Sequence, residues 1–355
     1  MGAVRIPALL DPHVHLRGMD WSHKGTFASE TAAALAGGYW AVLDMPNTAP
    51  PAISRAAFDD KLAAISGQAV CDWGLYFGAS QDDNTAAYEA VAGQACGLKV
   101  YCNATTGTLL VADQAMRERH YRAWPGVRPI AVHAEGETVL DILELARKYR
   151  RWTHFCHIST AEEIEFLREA KEEGLPVSVG VTPHHLFLTE RDGQALGPLG
   201  LMKPELKTER DRQALWAAIE SGIVDVVESD HAPHTLAEKF SGELVYGVPG
   251  LETTLPLLGS AMREGWLSME RLVALVSTNP RRIFGMGNRD DTYTVIDFDE
   301  SFVVDRHKLR TLCGWSPFEG RRVAGRVKEV WIRGRLTFDG EEVLVSPGFG
   351  RGVWA

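Results

Sequence analysis

THFCHISTAEEIEFLREAKEEGLPVSVGV, residues 153–181, places two short apolar segments on either side of a charged stretch. THFCHI (153–158) and PVSVGV (176–181) have the length and β-branched content of buried strands. Between them Ser159 and Thr160 each precede a glutamate by three positions, Glu162 and Glu163, the capping-box pattern of a helix start. Gly174 follows the last helical turn, and Pro176 opens the second strand. Strand, helix and strand within about thirty residues form a β-α-β unit, whose two strands run parallel.

The same unit repeats outward in both directions. Candidate strands are ALLDPHVH (8–15), YWAVLDM (39–45), DWGLYFG (72–78), GLKVYC (97–102), PIAVHA (129–134), the two above, and IVDVVESD (223–230). The intervening helices end in glycine, as in ASETAAALAGG at Gly37 and Gly38 and ERDRQALWAAIESG at Gly222. Eight β-α units predict an α/β fold, a TIM-like (β/α)8 barrel over residues 1–289. After NPRRIFGMGNRDDTY the pattern changes to alternating strands (TVIDF, FVVD, EVWIRG, EEVLV), so a small β appendage is expected over 290–355. GPLGLMKPELKTERD (197–211) is read as a loop after the seventh strand.

Composition narrows the partners. With 37 basic against 47 acidic residues the net charge is −10, which gives no basic footprint for nucleic acid or an anionic membrane surface. Five cysteines without C-x-x-C spacing suggest reduced thiols. The N-terminus MGAVRIPALL lacks the apolar core of a signal peptide, and no segment approaches the ~20 apolar residues of a membrane span. A cytoplasmic protein acting on a small molecule is expected.

In a barrel of this kind the reactive groups come from the C-terminal ends of the strands. Those ends hold His13 and His15, Asn47, Lys99, His133, His157 and Asp230. His13 and His15, two apart in a strand, aim their imidazoles into one space. Four histidines and a carboxylate suit Zn²⁺ but exceed the three protein ligands of a single catalytic zinc, so two metals are expected. Two cations about 3.5–4 Å apart need a bridging anion. Lys99, flanked by Leu98 and Val100, supplies one if its desolvated amine adds carbon dioxide to become a carbamate; a lysine carrying its amine out to the rim is the alternative. Asp230, in ESDHAPH, is placed to move a proton, the alternative being a helix cap. Arg17, Asn47 and His234 add hydrogen-bond donors near the mouth and suggest an anionic substrate.

The ordered set DPHVHLRG, HKGTFASETAAALAGG, MPNTAPP, GLKVY, PIAVHAE, HFCHIST, TPHHLF, SDHAPHTLAEK and PGLETTLPLL resembles the dihydroorotases of the amidohydrolase superfamily, most closely their animal multifunctional form. WSPFEGRRVAGRV and LVSPGFG extend the resemblance into the appendage. It implies reversible cyclisation of N-carbamoyl-L-aspartate to L-dihydroorotate in pyrimidine biosynthesis. It also implies two Zn²⁺ per chain bridged by carboxylated Lys99 and a hydroxide. His13, His15, Lys99 and Asp230 would hold one zinc, and Lys99, His133 and His157 the other. Arg17, Asn47 and His234 would grip the substrate carboxylate, with Thr105 and Thr106 on a mobile loop (NATTG, 103–107). A homodimer, and association with aspartate transcarbamoylase, are the partners it suggests. Three positions depart from the animal pattern. Gly18-Met19-Asp20 replaces Glu-Pro-Gly, Lys203 stands where the animal form has an arginine before P-E-L and supplies charge but not a planar fork, and Gly180 replaces a glutamate implicated in a third metal site, so no third zinc is expected. Competing readings are another cyclic-amide hydrolase, such as a hydantoinase or allantoinase, and an inactive scaffold.

Overall fold

A computed structural model describes residues 2–126, 128–287 and 289–354. Eight parallel strand segments surround a common axis: β2 (Leu9–Val14), β3 (Tyr39–Asp44), β4 with β5 (Asp72–Leu75 and Phe77–Gly78), β6 (Leu98–Tyr101), β7 (Ile130–His133), β8 (Thr153–Phe155), β9 (Val177–Val181) and β10 (Val226–Val227). They follow β1 (Ala3–Pro7), which lies outside this ring. The fourth and fifth strands are one segment interrupted at Tyr76. Its amide donates to Asp44 O, while the next amide, Phe77 N, donates to Gly97 O. The segment thereby joins the three-stranded sheet β2-β3-β4 to the six-stranded sheet β5 to β10. Past β10, His231 pairs with Val14, and His15 N donates to His231 O at 2.7 Å, linking the eighth strand to the first.

Local chemistry explains the alternation. The strands are buried along their whole length, as β2 (LLDPHV), β3 (YWAVLD) and β9 (VSVGV) show, because helices cover the outside while side chains fill the inside. Of the two cap candidates before the helix Ala161–Glu172, Thr160 takes the position. Its hydroxyl accepts from Glu163 N, and the Glu163 carboxylate accepts from the amides of Thr160 and Ser159. Gly174, at φ 75°, turns the chain into β9. A left-handed turn there suits glycine, which has no Cβ to clash.

The appendage differs in detail from its sequence pattern. TVIDF and FVVD are two halves of one long strand, β11 (Tyr293–Val303), which pairs antiparallel with β12 (Arg322–Ile332) with register shifts at Val295/Ile296 and Asp297/Ser301. The last strand, β13 (Arg335–Phe338), precedes EEVLV, which contributes only a bridge at Val343. Its fourth member is β1, which pairs with β11. The small sheet is thus built from both ends of the chain. It is fixed to the barrel where the helix Leu251–Arg263 presses on β12; a Cβ at Gly259 would lie 2.2 Å from Ala324 O. Residues 197–208 form a short 3-10 turn and a loop before the helix Glu209–Glu220. The five cysteines are free and buried. No helix among the described residues is long and apolar enough to cross a membrane.

Candidate metal centre and substrate pocket

The strand ends bring the histidines together. His13 and His15 have ring centroids 5.3 Å apart, and their Nε2 atoms lie 3.3 and 3.1 Å from the same Asp230 Oδ1. At the end of β7, His133 Nδ1 lies 3.1 Å from Nε2 of His157, which follows β8. The His13 and His157 rings, 5.1 Å apart, join the two pairs. Lys99 is fully buried in β6 and donates to Cys156 Sγ at 3.2 Å. Its amine therefore faces inward and not to the rim.

The hydrogen bonding leaves these nitrogens suited to a cation. Asn47 commits its Nδ2 to Thr106 O, so its Oδ1 accepts from His15 Nδ1 at 2.7 Å. His15 Nε2 is then a lone pair facing a carboxylate oxygen, and two acceptors at that distance repel unless a proton or a cation lies between them. Burial holds His13, His15 and His157 well below the usual imidazole range, with Lys99 adding to the effect on His13 and Arg17 on His15. Neutral imidazole is the form that binds metal. His133 turns its Nε2 to Glu135 Oε1 at 2.9 Å, the carboxylate–histidine arrangement that directs the other ring nitrogen to a metal. Nδ1 of His13 and of His157 is buried without a hydrogen-bond partner.

Two ligand groups have their donor atoms within 4.8 Å of one another: His13, His15 and Asp230, and His13, Cys156 and Glu228. Glu228 occupies the room left by Gly180, since a Cβ there would stand 2.6 Å from its Oε1. A carboxylate thus reaches this spot from β10's end instead of from position 180. It accepts from His157 N at 2.7 Å and pairs with His154 Nε2 at 3.0 Å.

Three residues here adopt left-handed backbone: Arg17 at φ 62°, His157 at φ 38° and Asp230 at φ 44°. For a side chain with a Cβ this costs roughly 1–2 kcal/mol each. Surrounding bonds hold the strain in place. Arg17 Nε donates to Pro233 O, Glu228 holds His157 N, and the buried Asp11 carboxylate accepts from His13 N and Ser229 N. Burial pushes the Asp230 carboxyl up to about 7, with Lys99 opposing it.

A cavity opens above the cluster. His13, His15, Arg17, Asn47, Thr105, Thr106, His133, His157, Lys203 and Asp230 all face it. Lys99 lies beneath its floor, and His234 stands behind Arg17, whose Nη2 is 2.9 Å from His234 Nε2. Burial lowers Arg17 only to about 10, so it stays protonated at neutral pH. Lys203 pairs with Glu205 at 2.8 Å and sits 5.1 Å from the Tyr246 ring.

Several residues at the site were not read from the sequence. Glu135 and Glu228 each sit two positions from a predicted site residue, the same spacing that singled out His13 and His15. Tyr246 contributes a carbonyl 3.0 Å from both Thr106 Oγ1 and His234 Nε2. The buried ammonium of Lys239 donates to the carbonyls of Leu201, Val245 and Gly247, tying the loops after the seventh and eighth strands together. No local sequence signal marks either residue.

A barrel whose strand ends gather four histidines, an inward lysine and an aspartate presents the donor set of a candidate metal centre. Residues 4–337 match the Amidohydrolase family, and the chain belongs to it. Within that family the sequence is 41% identical over 353 residues to the "Multifunctional protein CAD" of Squalus acanthias, covering 99% of this chain but 16% of that protein. It is 33% identical to the "Dihydroorotase" of Pyrococcus furiosus, covering 98% of this chain and 84% of that one. Among solved structures, the L-hydantoinase (dihydropyrimidinase) from Arthrobacter aurescens superposes with a TM-score of 0.92 at 26% identity, over 97% of this chain and 87% of the other.

Proposed function

We propose that the chain is a zinc-dependent dihydroorotase that interconverts N-carbamoyl-L-aspartate and L-dihydroorotate. One observation carries the choice: the cavity that exposes His13, His15, His133, His157 and Asp230 also exposes a buried guanidinium, Arg17, beside Asn47 and Thr106. Arg17 spends Nε on Pro233 O and Nη2 on His234, leaving its Nη1 for a ligand. Dihydroorotate brings a free carboxylate to that position, and simple hydantoins do not. The sequence relatives named dihydroorotase favour the same reading.

His13, His15 and Asp230 would hold one zinc and His133 and His157 the second, with Lys99 as carbamate between them. Bound zinc supplies a Lewis acid for the ring amide and an acidified water. Conversion of Lys99 requires its amine to leave Cys156 Sγ and, as the neutral form, to add carbon dioxide through a new N–C bond with release of one proton to solvent. Asp230 takes the proton of the attacking water at its carboxylate and returns it to the departing ring nitrogen as the C–N bond breaks. His234 holds Arg17 in place, and Asn47 fixes both the His15 tautomer and the Thr106 backbone. Lys203 adds positive charge at the rim. Residues 1–289 would make the catalytic barrel, with the 290–355 appendage joined by β1. A homodimer in the cytoplasm, and contact with aspartate transcarbamoylase, extend this proposal.

Turnover of dihydroorotate, hydantoin and allantoin by the purified zinc-loaded protein tests it. Dihydroorotate should be opened with a kcat/KM at least a hundredfold above the other two. Preference for hydantoin or allantoin would overturn the assignment, and no turnover of any would point to a scaffold.

A further inference from the structure

At the opposite end of the barrel lies a polar site that this chemistry does not use. Arg281, in the helix Asn279–Ile283, is 2% exposed. Its Nη2 donates to Ala8 O at 2.8 Å, but its Nε has no hydrogen-bond partner. Its guanidinium lies 4.9 Å from the Trp40 ring, and that of Arg289 lies 5.3 Å from the same ring. Trp40 Nε1 is likewise a buried donor without an acceptor. Unmet buried donors are rare in folded proteins and each one marks a place where a ligand, an ion or ordered water belongs.

Charge is also unbalanced here. Among the described residues Arg281 has no carboxylate partner. Arg289 Nη1 approaches Asp72 only to 4.0 Å, and Asp72 is already engaged by Arg333 and the Arg351 amide. Arg5, from β1, donates to Asp290 O. Arg5, Arg281 and Arg289 line a cleft, and Asp290 is its one acidic residue among those described. The cleft lies near the start of the barrel strands, since Arg281 bonds to the carbonyl of Ala8, the residue before β2, remote from the ends that hold Asp230.

We propose that this cleft binds a phosphate group. Guanidinium groups from a strand, a helix and the segment after it line one cleft, and three planar forks offer more donors than a single carboxylate can accept, whereas a phosphate presents more oxygens and more charge. An aromatic ligand is disfavoured because the Tyr293 ring is already engaged by Arg5 at 3.6 Å and by Trp331, stacked at 5.7 Å. Arg281 stays protonated at neutral pH, lowered by burial and by Arg289 only to about 10.

Calorimetric titration of the full-length protein with inorganic phosphate and with adenosine monophosphate, at constant ionic strength, tests the proposal. Phosphate should bind saturably at one site per chain, and Arg5→Gln with Arg289→Gln should weaken it at least tenfold. Those two side chains are exposed, so the double variant keeps its fold; Arg281→Lys, which retains charge but loses the fork, should weaken binding as well. Equal binding of the nucleotide would identify phosphate esters as the ligand, and phosphate alone would identify the free ion; either supports the site. Absence of saturable binding at millimolar phosphate, or unchanged binding in the double variant, would overturn it.

Discussion

Lys99 is fully buried in β6 with its amine on Cys156 Sγ, and as the proposed bridge it would have to reach both groups of ligands. Replacing it with alanine should remove most bound zinc as well as activity, and metal analysis of the purified variant gives the answer directly. Retention of two zincs per chain would exclude Lys99 as the bridge. Asp230→Asn should lower kcat by about 10²–10⁴ while KM changes little, since proton transfer contributes on that order and the amide keeps the shape of the group. Gly180→Ala should push the Glu228 carboxylate off His157 N, because the new methyl would lie 2.6 Å from Oε1. Zinc affinity, measured by chelator competition, should fall in that variant. At this scale the sequence was readable where spacing alone places side chains: His13 and His15 share a strand face and meet at one carboxylate. Glu228 has the same relation to Asp230 but was passed over. Its partners, His154 and His157, come from another strand, and only the closed ring brings them within reach.

The elements were legible wherever local chemistry sets their limits. Capping boxes, terminal glycines and short apolar runs mark all eight barrel strands, because parallel strands buried on both faces are rich in apolar residues. Pairing over long sequence distances left no such mark. Nothing in AVRIP (3–7) announces an antiparallel partner at 293–297, and nothing before the structure shows that TVIDF and FVVD continue through a bulged register as one strand. The rim depends on a similar long-range contact. Lys239 holds Leu201, Val245 and Gly247 by their carbonyls, and the residue between the last two, Tyr246, accepts from Thr106. Lys239→Met keeps the length of the side chain but removes the donors. KM for dihydroorotate should rise about tenfold, the equivalent of one or two lost hydrogen bonds, with a smaller change in kcat. Steady-state kinetics distinguish this from general unfolding, and an unchanged KM would remove the clasp from substrate binding.

For the whole molecule, the proposed metals would belong to the folded state as well as to the chemistry. Neutral buried imidazoles and acceptors facing one another at 3.1 Å are unfavourable without a cation, so ligand binding to the native form should add stability. At a thousandfold excess over Kd a single site contributes about 4 kcal/mol. Treating the protein with a chelator should therefore lower Tm on the order of ten degrees, and zinc should restore it; a Tm indifferent to chelation would deny the centre any structural role. The architecture that gathers the ligands was predictable from repeating units, whereas the cleft formed by Arg5, Arg281 and Arg289 was not. Its residues come from the two ends of the barrel sequence and meet only when β1 joins the small sheet.

The most direct test of the proposed bridge is a crystal structure of protein grown with zinc and bicarbonate, with anomalous scattering recorded at the zinc edge. Two zinc peaks flanking a Lys99 side chain extended by a carboxylate, one near His13, His15 and Asp230 and one near His133 and His157, are predicted. A bare Lys99 amine still resting on Cys156 Sγ, with no anomalous peak beside those histidines, would contradict the account.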